Sequence, residues 1–180
     1  MKIIFNTDQI YLHGGIEKVM ATKANYFAAL PNVEVIILTT EQKKRTACYM
    51  LDARVKQIDL AINYNRSKSY FSAENIKKAV KHFFKQRKML KKLQADILIS
   101  PNYNFDHYWL PFIKPTKTKV LKEIHASGYD VPTQRKKASL LNRLKWKLND
   151  KLLSKYDCIV VLNEDEKSYQ KTNNVVVIPN

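Results

Sequence analysis

Glycine is almost missing from this chain, with three in 180 residues. Where so few occur, each marks a place of need rather than a routine turn. Two of them are adjacent, Gly14 and Gly15. Neither belongs to a G-x-G-x-x-G dinucleotide fingerprint, and no Gly-Lys-Ser/Thr follows to make a phosphate loop. Cysteine is scarce as well. Cys48 and Cys158 make neither a disulfide framework nor a zinc site, and Cys158 sits in an apolar run that suits a buried thiol. There is no signal-peptide pattern and no apolar span near the ~20 residues of a membrane helix, so the cytosol is the expected compartment and any membrane contact is peripheral. Acidic residues are few: 16 Asp and Glu face 32 Lys and Arg, a net charge of +16. That excess attracts nucleic acid, an anionic membrane or phosphorylated ligands, and says nothing about the fold.

What is present is enough for one α/β domain with a real core, since 45% of the residues are hydrophobic. The apolar run Lys2-Ile3-Ile4-Phe5 reads as a strand. It leads through a loop to His13-Gly14-Gly15 and a helix from Ile16 to about Leu30, with Ile16, Val19, Met20, Tyr26, Phe27 and Leu30 as its apolar stripe. Two glycines at a helix start let the backbone approach a ligand, with free N–H groups and the positive end of the helix dipole behind them. On the dipeptide alone, a plain strand-to-helix turn is the simpler account. Val33 to Thr39 is β-branched throughout, as in a strand buried on both faces, and completes a right-handed βαβ unit.

Glu41 to Arg45 reads as a turn, Ala47–Leu51 and Val55–Leu60 as short strands, and Ala61–Ser72 as a loop. Ser72 caps a helix running to about Gln94. Its core stripe is Ile76, Ala79, Val80, Phe83, Phe84, Leu90 and Leu93, and lysines including Lys81, Lys85 and Lys88 occupy the other face. Strands follow at Ala95–Pro101, Lys119–His125, Asp157–Leu162 and Val175–Ile178. The aromatic stretch Tyr103–Pro111 is loop with a short helix. Lys136–Lys155 is an amphipathic helix with Leu141, Leu144, Leu148 and Leu152 inward, and Glu164–Lys171 is a short one. The alternation predicts an α/β, Rossmann-like doubly wound, mostly parallel sheet with helices on both faces.

Three landmarks occur in order: His13-Gly14-Gly15-Ile16-Glu17-Lys18-Val19, then Lys122-Glu123-Ile124-His125, then Asp157 to Glu164 followed by Val175-Val176-Val177-Ile178-Pro179-Asn180. Together they resemble the N-terminal half of a GT-B glycosyltransferase of family 4, the large retaining group. There a Gly-Gly-x-Glu-Arg/Lys-Val turn opens the first helix, and a run ending Ile-Pro-Asn-Gly begins the crossover to a second domain. The resemblance covers nearly the whole chain. It departs from the pattern where the sequence stops, at Asn180, before the domain that carries Glu-x(7)-Glu and most nucleotide-sugar contacts. The expectation is an acceptor-side N-terminal domain, truncated or naturally split, that cannot catalyse transfer alone.

The resemblance implies a nucleotide-sugar donor, a cell-surface polysaccharide or lipid-linked acceptor, front-face retaining chemistry, and no cofactor or metal. It places Gly14, Gly15 and Ile16 at the cleft and gives His125 contact with the transferred sugar or acceptor. His125 also lies at a strand's C-terminal end, where ligands gather in open α/β sheets; a partly buried histidine capped by backbone is the bland alternative. Glu123 shares its strand face and either orients the imidazole or is salt-bridged. Tyr103 and Asn104 end another strand and either line the same cleft or form an ordinary polar loop. No paired carboxylates or metal-ligand spacing appear.

The basic helix faces, with Lys81, Lys85, Lys88, Lys145 and Lys147, are either solvated backs or a surface for an anionic membrane, the inner face of the plasma membrane being the expected one. Trp146, off the leucine stripe, reads either as an interfacial anchor or as packing against a loop. Two other readings remain. A basic nucleic-acid-binding α/β module lacks any helix-turn-helix, zinc or RNP signature, and a non-catalytic partner subunit requires a separate donor-binding chain.

Overall fold

The computed structural model describes residues 1–125, 135 and 138–179, except the side chain of Leu141. The expected segment after His125, the start of the Lys136 helix and Asn180 lie outside them. The described elements are β1 (Lys2–Thr7), α1 (Gly15–Ala29), β2 (Glu34–Thr39), β3 (Lys56–Asp59), α2 (Ala73–Leu93), β4 (Ile97–Ser100), a 3₁₀ turn (Phe105–Tyr108), α3 (Leu110–Ile113), β5 (Lys119–Glu123), α4 (Leu140–Leu153), β6 (Cys158–Val161), α5 (Glu164–Tyr169) and β7 (Val175–Val177). The strands form one seven-stranded sheet in the order β3-β2-β1-β4-β5-β6-β7. Every described pairing is parallel. The α/β, Rossmann-like expectation therefore holds. Ala47–Leu51 is not a strand. It folds onto the loop after β1, where the Cys48 N–H donates to the Ile10 carbonyl over 2.8 Å. Cys158 is half-buried rather than buried.

Strand alternation sorts the core into two layers. Ile3, Phe5, Val35, Ile37 and Ile99 pack with Met20, Ala24 and Ala28 of α1. Ile4, Ile36, Leu38, Leu98 and Val120 pack on the other face with Ala79 and Leu90 of α2, Phe105 and Leu110. Small residues let α1 lie close to the sheet, whereas the large aromatics Tyr26 and Phe27 are exposed and half-buried.

The helices of the second layer follow the expected stripes in part: Ala79, Phe83, Leu90 and Leu93 of α2 pack on the core, and other stripe positions do not. Ser72 caps α2, accepting from the Asn75 N–H, as its sequence implied. Of the five buried residues of α2, three are polar: Asn75, His82 and Gln86. Ile76, Val80 and Phe84 instead are 41%, 55% and 61% exposed. On α4, Leu140, Leu144 and Leu148 are 84%, 65% and 60% exposed, while Leu152 is buried. The inward side of α4 carries Asn149, bonded to His107 over 3.1 Å, and Asp150, paired to Arg135 over 2.6 Å. Trp146 does not stand on a free outward face. It is half-buried with the Arg135 guanidinium 4.6 Å from its ring centre.

The reason is a buried polar knot that recruits polar helix residues inward. Asn6 Nδ2 donates to Asp106 Oδ2 at 2.5 Å, and Gln86 Nε2 donates to Asn6 Oδ1 at 2.9 Å. Trp109 Nε1 donates to Gln86 Oε1 at 2.7 Å. Buried polar atoms stripped of partners cost about 1–3 kcal/mol each. Gln86→Ala is therefore expected to lower the unfolding free energy by about 2–4 kcal/mol, and Val80→Ala to change it by less than ~0.5 kcal/mol, in chemical denaturation. A large loss at Val80 and none at Gln86 would restore the expected stripe.

Candidate functional site

The chain steps from β1 outward to β2 and β3, then returns to β4 on the other side of β1. At such a switch point neighbouring connections leave in opposite directions, and a crevice opens beyond the strand ends. Two asparagines lace it. Asn102 Nδ2 donates to Thr7 Oγ1 over 2.7 Å, and the Asn104 amide donates to the Asp8 carboxylate. Asp8 also pairs with Arg66 over 2.9 Å, and Arg66 Nε donates to Glu41 over 2.9 Å. This ties the loop before α2 across the ends of β1 and β2. Burial pushes the Asp8 carboxyl up to about 7, against the opposing pull of Arg66.

Strand β5 contributes to both sides of the sheet by alternation. Lys122 points toward the α2 layer and is completely buried. Its ammonium donates to the Asn102 carbonyl and lies 4.0 Å from the Tyr103 ring centre. Tyr103 in turn packs on His107, with ring centres 4.8 Å apart. Burial pushes Lys122 down to about 7, with Asp106 and Asp8 pulling the other way, and burial together with Lys122 pushes His107 down to about 4. Glu123 faces α1. Its carboxylate accepts from Lys23 Nζ at 2.9 Å and lies 3.1 Å from His125 Nε2. Burial alone would raise Glu123, but the bonds from His125 and Lys23 outweigh it and the net shift is downward.

Gly14 and Gly15 open α1 as expected, for different reasons. Gly14 has an extended backbone, φ −151°, that any residue adopts. Its need is space, because a Cβ there would run into Oε2 of Glu17. Glu17 is anchored in turn by Gln9 Nε2 at 2.6 Å. A Cβ at Gly15 meets nothing within 4 Å, so the chain itself does not require glycine there. Positive φ falls instead on Asn32, Lys43, Lys44, Ala61, Asn63 and Gln94, so left-handed turns here are made without glycine among the described residues.

Tyr103 and Asn104 follow the end of β4 at the switch point, and Gly14, Gly15, Ile16 and His125 lie on the α1 side of the sheet. Lys81, Lys85, Lys88, Lys145 and Lys147 are exposed on α2 and α4. Asp8, Arg66, Asp106 and Lys122 are site residues that sequence reasoning passed over. A signal existed for Lys122: a lysine amid Val120, Leu121 and Ile124 in an inner strand needs a buried partner.

Lys122 binds protons less readily folded than unfolded, where its ordinary value is 10.5. The unfolded state then holds more protons between about pH 7 and 10.5, so stability rises with pH across that window, by roughly 1 kcal/mol per unit. Lys122→Met is expected to raise the melting temperature at pH 6 and to flatten that rising arm. An unchanged arm in the variant would contradict the buried-cation assignment.

Comparison with known proteins bears on the family and the fold. The model of Glycosyltransferase Family 4 matches residues 13–180. No curated protein matches the chain by sequence. Among solved structures, the lipopolysaccharide outer core galactosyltransferase WaaB, apo form, is similar at TM-score 0.62 and 15% identity, over 100% of this chain and 46% of that one. Sucrose-phosphate synthase from Thermosynechococcus elongatus gives 0.66 and 14%, over 99% and 48%. UDP-GlcNAc 2-epimerase from Methanocaldococcus jannaschii gives 0.61 and 14%, over 100% and 46%. The chain spans about half the length of these solved structures. An epimerase among them means that the shared fold does not by itself name a reaction. The family model, matching from His13 onward, does decide the family: the chain belongs to Glycosyltransferase Family 4 and carries a glycosyltransferase domain of the GT-B type.

Proposed function

We propose that this chain is the acceptor-side, N-terminal domain of a retaining hexosyltransferase that moves a sugar from a nucleotide-sugar to a lipid-linked or cell-surface glycan acceptor. The observation that carries the reading is the β1–β4 switch point of the sheet, with the start of α1 following β1 and the Glu123–His125 pair at the end of β5. The first turn of a helix presents N–H groups without intrahelical partners, a fit for the developing charge on a leaving diphosphate. His125 supplies a polar contact to the transferred sugar or acceptor, and Tyr103 and Asn104 line the facing wall. The reading calls on no metal, since the helix start supplies the positive field. A cell-surface acceptor agrees with the outer core galactosyltransferase among the similar structures. Retention and the donor sugar belong to the proposal.

Gly15→Ala tests it. The added methyl meets nothing within the chain, so the melting temperature should hold. Binding of the cognate nucleotide-sugar, found by screening a panel with saturation-transfer spectroscopy, should fall at least tenfold. Unchanged binding in the variant would count against close approach at α1. The chain by itself should show no sugar transfer, and turnover by the purified chain would overturn the half-site reading.

The acceptor class draws support from the second helical layer. The outward leucines of α4 are interspersed with exposed Arg143, Lys145, Lys147 and Lys151, and Ile76, Val80 and Phe84 of α2 with Lys77, Lys81, Arg87 and Lys88. The 3₁₀ turn joins these helices, through Trp109 to Gln86 and through His107 to Asn149. Apolar side chains ringed by cations match an anionic lipid surface in both chemistry and charge. A second copy of so basic a chain would repel it. The anchor on α4 is then the leucine row rather than Trp146. Flotation with anionic vesicles should show salt-sensitive binding, weakened about tenfold or more by the pair Leu144→Ser and Leu148→Ser. Binding that the pair leaves intact, or that a short oligonucleotide displaces at equal phosphate concentration, would contradict it.

A further inference from the structure

We infer that Lys23 and Glu123 are positioning residues for His125, holding its imidazole by the Nε2 edge in one orientation. The inference rests on the reading above for the ligand that His125 serves. Its structural basis is independent of that reading.

Glu123 lies on an inner strand and is 7% exposed. Leu121, two residues earlier on the same face, packs in the apolar cluster with α1. A leucine at position 123 would extend that cluster, so the carboxylate is costly on packing grounds. Both its oxygens are engaged, Oε1 by Lys23 at 2.9 Å and Oε2 by His125 at 3.1 Å. The groups acting on Glu123 are Lys23 from α1 and His125 from its own strand. Strand β6 presents Val160 beside it, and Lys122 points to the opposite face of the sheet.

The row Lys23–Glu123–His125 is joined end to end by these two contacts. The carboxylate accepts from Nε2 and fixes the orientation of the ring. Lys23 holds the carboxylate in place from α1. Since Lys23 and Gly15 share α1, one rigid helix registers the histidine against the glycine turn.

The arrangement makes a demand on the orientation of the His125 ring, read from cross-relaxation between its Cε1–H, assigned among the four histidines with His125→Gln, and protons of neighbouring residues. Glu123→Gln keeps an oxygen for Nε2 and should leave those contacts in place. Glu123→Leu fits the apolar cluster, removes the acceptor and should lose them. Contacts kept in Glu123→Leu, or lost in both variants, overturn the inference. Should Glu123→Leu fail to fold, Lys23→Met on the half-exposed helix decides alone: the contacts should weaken, and an unchanged set overturns the inference. No ligand enters the measurement. A nucleotide-sugar that leaves the His125 resonance unmoved would count against the proposed function while this result stands.

Discussion

The buried hydrogen-bond knot of Asn6, Asp106 and Gln86 is the constraint on which the rest of the molecule depends. Asn6 sits at the end of β1 with 1% of its surface exposed, at the switch point of the sheet. Its amide donates to Asp106 and its carbonyl accepts from Gln86, so β1, the 3₁₀ turn and α2 are pinned at one spot. A polar cluster in low dielectric holds geometry tightly when satisfied and is expensive when not. Around it the rings of Phe105, Tyr70 and Tyr64 stack, with Phe105 and Tyr70 centres 4.0 Å apart. That support fixes the segment from Asn102 to Trp109, which supplies one wall of the crevice.

The same knot explains why α2 shows apolar side chains to solvent. Turning His82 and Gln86 inward rotates Ile76, Val80 and Phe84 outward. On α4 the bonds of Asn149 and Asp150 do likewise for Leu140, Leu144 and Leu148. An outward apolar row among lysines is thus a consequence of how these helices are braced, and it is the surface on which the proposed lipid contact rests.

Much of the fold was legible because strand burial and chain punctuation are local. The β-branched run at Val35–Leu38, the Ser72 cap and the order of alternating elements all carry over to the structure. The Gly-Gly turn and the strand before His125 were found at their strand ends for the same reason. The inward faces of α2 and α4 were legible only in part: Ala79, Phe83, Leu90, Leu93 and Leu152 do turn inward, but periodicity counts apolar residues and cannot see a partner like Asp106, distant in sequence, that draws Gln86 inward. Ala47–Leu51 failed likewise: its backbone pairs with the Ile10 loop, and nothing in its own residues says so. Lys122 was hidden in the landmark motif, where it read as one more basic residue of a basic chain.

The sheet divides the labour of the site. On one side Lys122, Asp106 and His107 stiffen the crevice wall from beneath. On the other lie α1 and the Glu123–His125 pair, the proposed ligand contacts. The most direct test of this account is resonance mapping of the chain with a nucleoside diphosphate at millimolar concentration. The account expects perturbations centred on Gly15, Ile16, Tyr103 and His125. Perturbations confined to the lysines of α2 and α4, as for an anion held by net charge alone, would contradict it.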